Sequence, residues 1–287
     1  MRSPELRSGT GKKYSRYVRK VAVSISAVPS ASDRLKGNIL IDSVRLEIKS
    51  LYAGTKLRGW WLILGPLILS LLYIFIYSVV LEIRAPDVSR TQYVAILIAS
   101  LTTFLALSQS MGLGVTSLTS NKNLIQNTRY PIELIPLRLG LIASVTPLVG
   151  LSLSLFIVAW SHGFALSMLL LPVVWASVVF MSVSLVGVFG ILAIYWRDLQ
   201  AIVLYLILIG MVSSPIVYTL NMVPSNLKFL IFLNPLSYFI FGSQYVVVGG
   251  ATAGVGLIFG LFAVSGFSAL FVIFILRRFK SRIANDI

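Results

Sequence analysis

Residues 121–138, NKNLIQNTRYPIELIPLR, break two long apolar runs with charge, amide side chains and two prolines. A lipid-buried helix does not continue through such a stretch, because proline and unpaired polar groups leave backbone that hydrocarbon cannot satisfy. Asn121 or Asn123 serves as an N-cap, Leu124 and Ile125 form a small apolar knob, and Pro131 opens a new helix with Glu133 in its first turn. The stretch therefore reads as a short helix, a break and a fresh helix. Lys122, Arg129 and Arg138 put it on the cytoplasmic face by the positive-inside rule. It is either a plain polar connection between two membrane helices or a docking knob for a cytoplasmic partner.

The flanking runs belong to a chain of 287 residues that is 57% hydrophobic and 11% charged, with a mean hydropathy of +0.91. That is too apolar for a soluble domain, and several runs are long enough to cross a bilayer. The chain is an integral membrane protein, all-α in class. It has no Cys, which excludes disulfides and Cys-based metal sites or nucleophiles, and His162 is its one His. The net charge of +15 sits mostly at the ends: thirteen Lys and Arg precede the first apolar run, and Arg277, Arg278, Lys280 and Arg282 follow the last. Such flanks suit anionic lipid on the cytoplasmic side better than nucleic acid, so both termini read as cytoplasmic.

Residues 1–38 are rich in Ser, Lys and Arg and read as a mobile basic tail without a signal-peptide core. The fragment GTGKKYS at 9–15 is not a phosphate loop, because that pattern needs Gly at Leu6 and Ser or Thr at Lys13. In the segment 39–58, Ile41, Val44, Ile48, Leu51 and Tyr52 recur at helical spacing opposite Asp42, Arg45 and Lys49, the pattern of an amphipathic helix lying in the membrane interface. Trp60 and Trp61 anchor the entry to the transmembrane part, 59–287. Spans are expected at about 59–81, 93–118, 139–160, 166–194, 201–220 and 252–276, with the cytoplasmic loop at 119–133 and a second one at Tyr195–Asp198. His162 falls in a short outer turn and is assigned no chemistry.

Residues 227–247 are apolar enough for a further crossing, but that would place Arg277, Arg278, Lys280 and Arg282 outside. Asn234 and Pro235 also break the run at its middle. A re-entrant hairpin of two short helices at about 222–250, dipping in from the outer face, satisfies both constraints. The expected architecture is thus six transmembrane helices, an N-terminal interfacial helix and an outer re-entrant hairpin between helices five and six.

No charged residue lies between Arg138 and Arg197, and only Lys228 lies between Asp198 and Arg277. Ion-coupled carriers place ionisable groups or broken helices near the bilayer midplane, and membrane hydrolases or transferases need a metal site or a base paired with a nucleophile. Neither set is legible here. What remains is a passive conduit driven by something else.

The order of an amphipathic helix, LRGWWLILGPL, NKNLIQNTRYPIELIPL, YWRDLQ, SSPIVY, a loop with Val223 and Pro224, then FLNPLSY closely resembles the membrane subunit of ABC-2 type polysaccharide exporters, which export O-antigen, capsule or teichoic acid chains. The resemblance covers about residue 41 to the C-terminus, with SPxxY and NPL its most distinctive pair. It departs at Leu51, where the family carries a basic residue, and at Arg58.

The resemblance implies a homodimer in the bacterial cytoplasmic (inner) membrane with two copies of a separate cytoplasmic ABC ATPase. This chain would be non-catalytic and bind no cofactor, ATP and Mg being held by the ATPase. The coupling residues would be Lys122, Asn123, Leu124, Ile125, Arg129 and Tyr130. Tyr73, Tyr77, Phe104, Tyr205 and Tyr218 are candidates for a path along which sugar C–H faces stack, although helix packing explains each of them more readily. Gly250, Gly254, Gly256 and Gly260 form small-xxx-small spacings suited to close helix contact, within or between subunits. Besides the glycan exporter, an ABC-2 permease for a small lipophilic drug or lipid shares this topology, and a membrane enzyme of glycan assembly is a third class.

Overall fold

A computed structural model describes residues 33–52, 54–83, 85, 88–127, 130–219, 222–249 and 254–286. Among these the only regular secondary structure is helix, with five helical segments long and apolar enough to cross a membrane, or six if one sharply bent pair counts as a span. Residues 1–32 of the expected tail lie outside the described residues. Residues 33–38 do not belong to a tail: α1 runs Asp33–Leu51. Elongating a helix adds one hydrogen bond per residue, and only Gly37 opposes it between Asp33 and Ile39.

The first span, Arg58–Val80, enters through a 3-10 turn, continues as α2 (Trp61–Tyr73) and widens into a π-helix over Ile74–Val80. Pro66 lies inside α2, and Ser70 Oγ donates to the Pro66 carbonyl at 2.8 Å. Little of this span is buried within the chain.

The post of the fold is α3 (Arg90–Ser120), whose 31 residues reach about 46 Å at the helical rise. Ser89 and Gln92 close a capping box at its start, which extends the helix beyond the expected 93–118. It packs against nearly every other span, and Ala95, Ala99, Ala106 and Gly114 along it are buried. After α4 (Lys122–Asn127) the chain turns into α5 (Leu134–Ala143) and α6 (Val145–His162), which form one span broken at Ser144. Helix α5 starts at Leu134, not at Pro131. A helix begun at Pro131 would put Pro136 in its second turn, where the missing N–H costs a bond; from Leu134, Pro136 falls in the first turn, where no bond is due. Pro147 explains the break at Ser144 by the same loss, and the Trp175 indole donates to the Ser144 carbonyl at 3.0 Å beside the bond from the Leu148 N–H.

Helix α7 (Leu171–Tyr195), preceded by a 3-10 turn at Leu166–Leu170, packs on α3, α5 and on α11 (Val255–Arg278), which ends in the short α12 (Lys280–Asp286). Close approach here depends on glycines the sequence reading passed over. A Cβ on Gly140 would stand 2.7 Å from Val183 Cγ2, and one on Gly150 would overlap the Thr102 side chain.

Helix α8 (Leu199–Ser213) is shorter than the expected 201–220, because Ser214 precedes Pro215 and is held extended at φ −93°, ψ 141°. Non-helical chain completes the climb. Its carbonyls are met by side chains: Gln244 Nε2 donates to Pro215 O at 2.8 Å and Tyr93 OH to Val217 O at 2.8 Å. Then α9 (Lys228–Leu233) and α10 (Pro235–Val248) meet at a bend of 99° at Asn234. Val217 lies beside the first turn of α3, Asn234 beside Gly210 deep in the fold, and Val246 beside Ser167 in the turn after His162. The pair therefore descends from the end bearing His162 to the level of Gly210 and returns to that end.

Asn234 joins the two motifs that stood out in the sequence. Its Nδ2 donates to Ser213 Oγ at 3.0 Å, Ser214 Oγ at 2.8 Å and the Gly210 carbonyl at 3.3 Å, while its Oδ1 accepts from the Leu236 N–H at 3.0 Å. The NPL asparagine is thus both the N-cap of α10 and the latch on the C-terminus of α8.

Candidate functional site: a polar junction at the basic end

Four separate stretches meet beneath the core at the end opposite His162: α1, the loop around α4, the start of α5, and the α11–α12 corner. Tyr130 lies at their centre, 1% exposed, in a cluster with Leu118, Ile125, Ile132, Ile135, Leu276 and Ile283. Its hydroxyl is 3.1 Å from Ser43 Oγ on α1, and its carbonyl accepts from Lys280 Nζ on α12 at 3.2 Å. Arg138 of α5 is 6% exposed and lies 5.9 Å over the Tyr130 ring. Its Nη2 donates to Asn121 Oδ1 at 2.6 Å and approaches Glu47 Oε2 of α1 at 3.3 Å, while its Nε is buried without a hydrogen-bond partner among the described residues. Glu133, also buried, accepts from Arg277 Nε at 3.0 Å. A buried guanidinium is tolerable only where such partners compensate its lost hydration. Just past the end of α1, burial pushes the Tyr52 phenol up from its usual range.

The junction revises the expected coupling residues. Ile125, 3% exposed, and Tyr130 are not free to enter a groove on another protein, because the chain's own core encloses them. Lys122 and Asn123 are exposed and Leu124 half-buried, so α4 presents its first turn outward. Arg129 lies outside the described residues. Asn121 closes α3 and braces Arg138. Sequence reasoning missed Ser43, Glu47, Arg277 and Lys280 as members of this site. The one available signal was Glu133 and Arg138 standing at the edge of apolar runs, where an ionised group needs a partner from elsewhere.

The aromatic candidates divide. Tyr73 and Tyr77 stand 5.6 Å apart, and Tyr73 OH lies 3.8 Å from Met211 Sδ near the end of α8. Tyr218 OH donates to the Val212 carbonyl at 3.1 Å in the same region. A cavity of about 470 Å³ lies beside them, lined among others by Ser78, Glu82, Arg90 and Tyr93. Tyr205 is exposed on α8 away from this group. Phe104 does not line a path: it is 2% exposed and packs with Leu101, Leu107, Ile216, Leu236 and Phe239.

Among the described residues, Gly254, Gly256 and Gly260 have nothing within 4 Å of where a Cβ would be, so that face of each is open; Gly250 lies outside the described residues. His162 bridges Ser89 Oγ at 3.0 Å and Ser161 Oγ at 2.8 Å, joining two helix ends.

Residues 43–248 match the profile of the family described as ABC-2 type transporter. A protein of Myxococcus xanthus named O-antigen export system permease protein RfbA is 26% identical over 201 residues, which is 69% of this chain and 75% of the relative. A protein of Klebsiella pneumoniae with the same name is 23% identical over 225 residues, covering 74% and 81%.

Proposed function

The chain belongs to the ABC-2 type transporter family, and we propose that it forms the conduit through which a lipid-linked polysaccharide crosses the cytoplasmic membrane, driven by a separate ABC ATPase. It is a non-catalytic transport subunit. The observation that carries the reading is the separation of charge from apolar depth. Helices α6, α7, α8 and α10 contain no Asp, Glu, Lys or Arg, whereas charged side chains from α1, α5, α11 and α12 converge in the junction beneath α4. A conduit with no Asp, Glu, Lys or Arg in those helices offers a polymer many weak contacts, while the polar end offers a partner a place to push.

In this reading the basic end faces the cytoplasm, the α9–α10 pair re-enters from the outer face, and two copies of the chain enclose the path above two ATPase subunits that hold ATP and Mg. Lys122, Asn123 and Leu124 meet the ATPase, with Arg129 steering; Ile125 and Tyr130 hold α4 in place from behind. Tyr73, Tyr77 and Tyr218 border the outer part of the path, and Tyr205 its flank. The open face of Gly254, Gly256 and Gly260 is free for contact between copies. The polymer class is that of the relatives' name, an O-antigen, which favours it over a small drug or lipid.

The test is deletion of the gene. Polysaccharide still attached to its lipid carrier should accumulate inside the cell and vanish from the surface, and a plasmid copy should restore it. Normal surface polymer in the deletion strain would exclude the proposal.

A further inference from the structure

We propose that Arg138 is a positioning residue that makes α4, α1 and the α11–α12 corner move as one body, so that a push delivered to α4 swings α1. The inference rests on the exporter reading for the source of the push, but the clamp itself stands on geometry.

Three observations carry it. First, α4 is connected to α5 through a segment whose buried residue Tyr130 is held from three sides: its hydroxyl by Ser43 Oγ on α1, its backbone carbonyl by Lys280 Nζ on α12, and its ring by the Arg138 guanidinium on α5. Second, Arg138 reaches both ways from α5, to Asn121 at the root of α4 at 2.6 Å and to Glu47 on α1 at 3.3 Å. Third, the grip is polar where apolar packing was at hand. Ile39 and Leu40 of α1 already lean on the same core as Ile135 and Leu139, so α1 does not need a buried charge to stay attached. A buried ion pair is a poor way to add stability, since apolar residues of equal volume often do as well or better. What it adds is direction. A planar guanidinium with fixed donors holds its partners in one geometry, whereas apolar surfaces slide. Because α1 runs back to the first span, motion of α4 transmitted this way reaches the wall formed by α2.

The test replaces the pair by apolar residues of similar volume, Glu47→Leu with Arg138→Met, so that packing is kept and direction is lost. Two measurements are made. In the first, the chain carries no native Cys, so spin labels on cysteines placed at the exposed Lys49 and Asn123 report the distance between α1 and α4 in nanodiscs without any ATPase. A narrow distribution in the parent that broadens in the double variant is expected. Equal widths would overturn the clamp, whatever the protein transports. In the second, the complex with the ATPase is compared for ATP hydrolysis and for delivery of polysaccharide to the surface. The double variant should keep at least half the parental hydrolysis while delivery falls at least tenfold, and Arg138→Lys, which keeps the charge but not the fork, should fall between. Delivery within twofold of the parent would overturn the proposal. So would joint loss of hydrolysis and ATPase co-purification, which would make Arg138 a purely structural residue.

Discussion

Replacing Asn234 should loosen the α9–α10 elbow by an amount that its bonds allow to be worked out. Asn234→Ala removes an N-cap, worth about 1 kcal/mol, and the donor bonds of Nδ2 to Ser213, Ser214 and Gly210. The amide has only two hydrogens to give, and a polar bond between membrane helices averages about 0.6 kcal/mol, so their loss adds about 1.2. Ser213 and Ser214 keep bonds to Ile209 O and Gly210 O, and neither hydroxyl is left orphaned. The sum is about 2 kcal/mol, or roughly 30-fold in the equilibrium between latched and released elbow. Amide exchange in nanodiscs reads this directly: protection of the amides at Leu236 and Ser237 should fall by that factor, while the far half of α10, held by Gln244 through Ser100 and Pro215, stays protected. Asn234→Ser keeps the cap but does not reach α8, so it should lose only about 1.2 kcal/mol, roughly a sevenfold fall. If Ala and Ser variants exchange alike, or if neither differs from the parent, the latch does not exist as described.

The other predictions are quickly stated. Gly150→Ala drives a methyl into Thr102 and should cost about 1 to 3 kcal/mol in thermal unfolding, whereas Gly256→Ala, with open space before it in the single chain, should leave the midpoint of the dissociated chain unchanged. Ile125→Ala should destabilise the chain by about 2 to 5 kcal/mol as a buried cavity, while Lys122→Glu, at an exposed position, should cost much less and reduce ATPase co-purification; equal effects of the two on stability would contradict their burial. In intact cells a cysteine at Ser225 should react with an impermeant reagent and one at Ser281 should not until the membrane is opened; labelling of Ser281 from outside would reverse the proposed orientation. Tyr73, Tyr77 and Tyr218 replaced singly by Ala should slow export partly, and together should block it with the ATPase still bound; full export by the triple variant would dismiss the aromatic path.

The sequence by itself determined the class of the protein, because the length and apolarity of its runs leave no alternative to membrane helices. It determined the break at Asn234 and Pro235, since proline acts locally through its own missing N–H. The family resemblance marked SSPIVY and NPL as distinctive, and the spacing of apolar residues marked α1 as amphipathic. Which residues those motifs touch was decided only by tertiary structure. Asn234 meets Ser213 and Ser214 across a loop, and Arg138 meets Glu47 across the first two spans, partnerships that no periodicity encodes. The same limit explains the misplaced anchors. Leu124 and Ile125 are adjacent apolar residues in a polar loop, and sequence does not say whether such a knob faces outward or back into its own chain. Here Ile125 turns inward because α12 brings Ile283, and the end of α11 brings Leu276, to cover it, and burial of apolar surface favours whichever partner arrives. Glycine shows the rule in reverse: among the described residues the conspicuous Gly254, Gly256 and Gly260 face open space where a Cβ would stand, while the solitary Gly150 and Gly187 sit where a Cβ would overlap Thr102 and Val272, because closeness is a property of two helices and a spacing is a property of one.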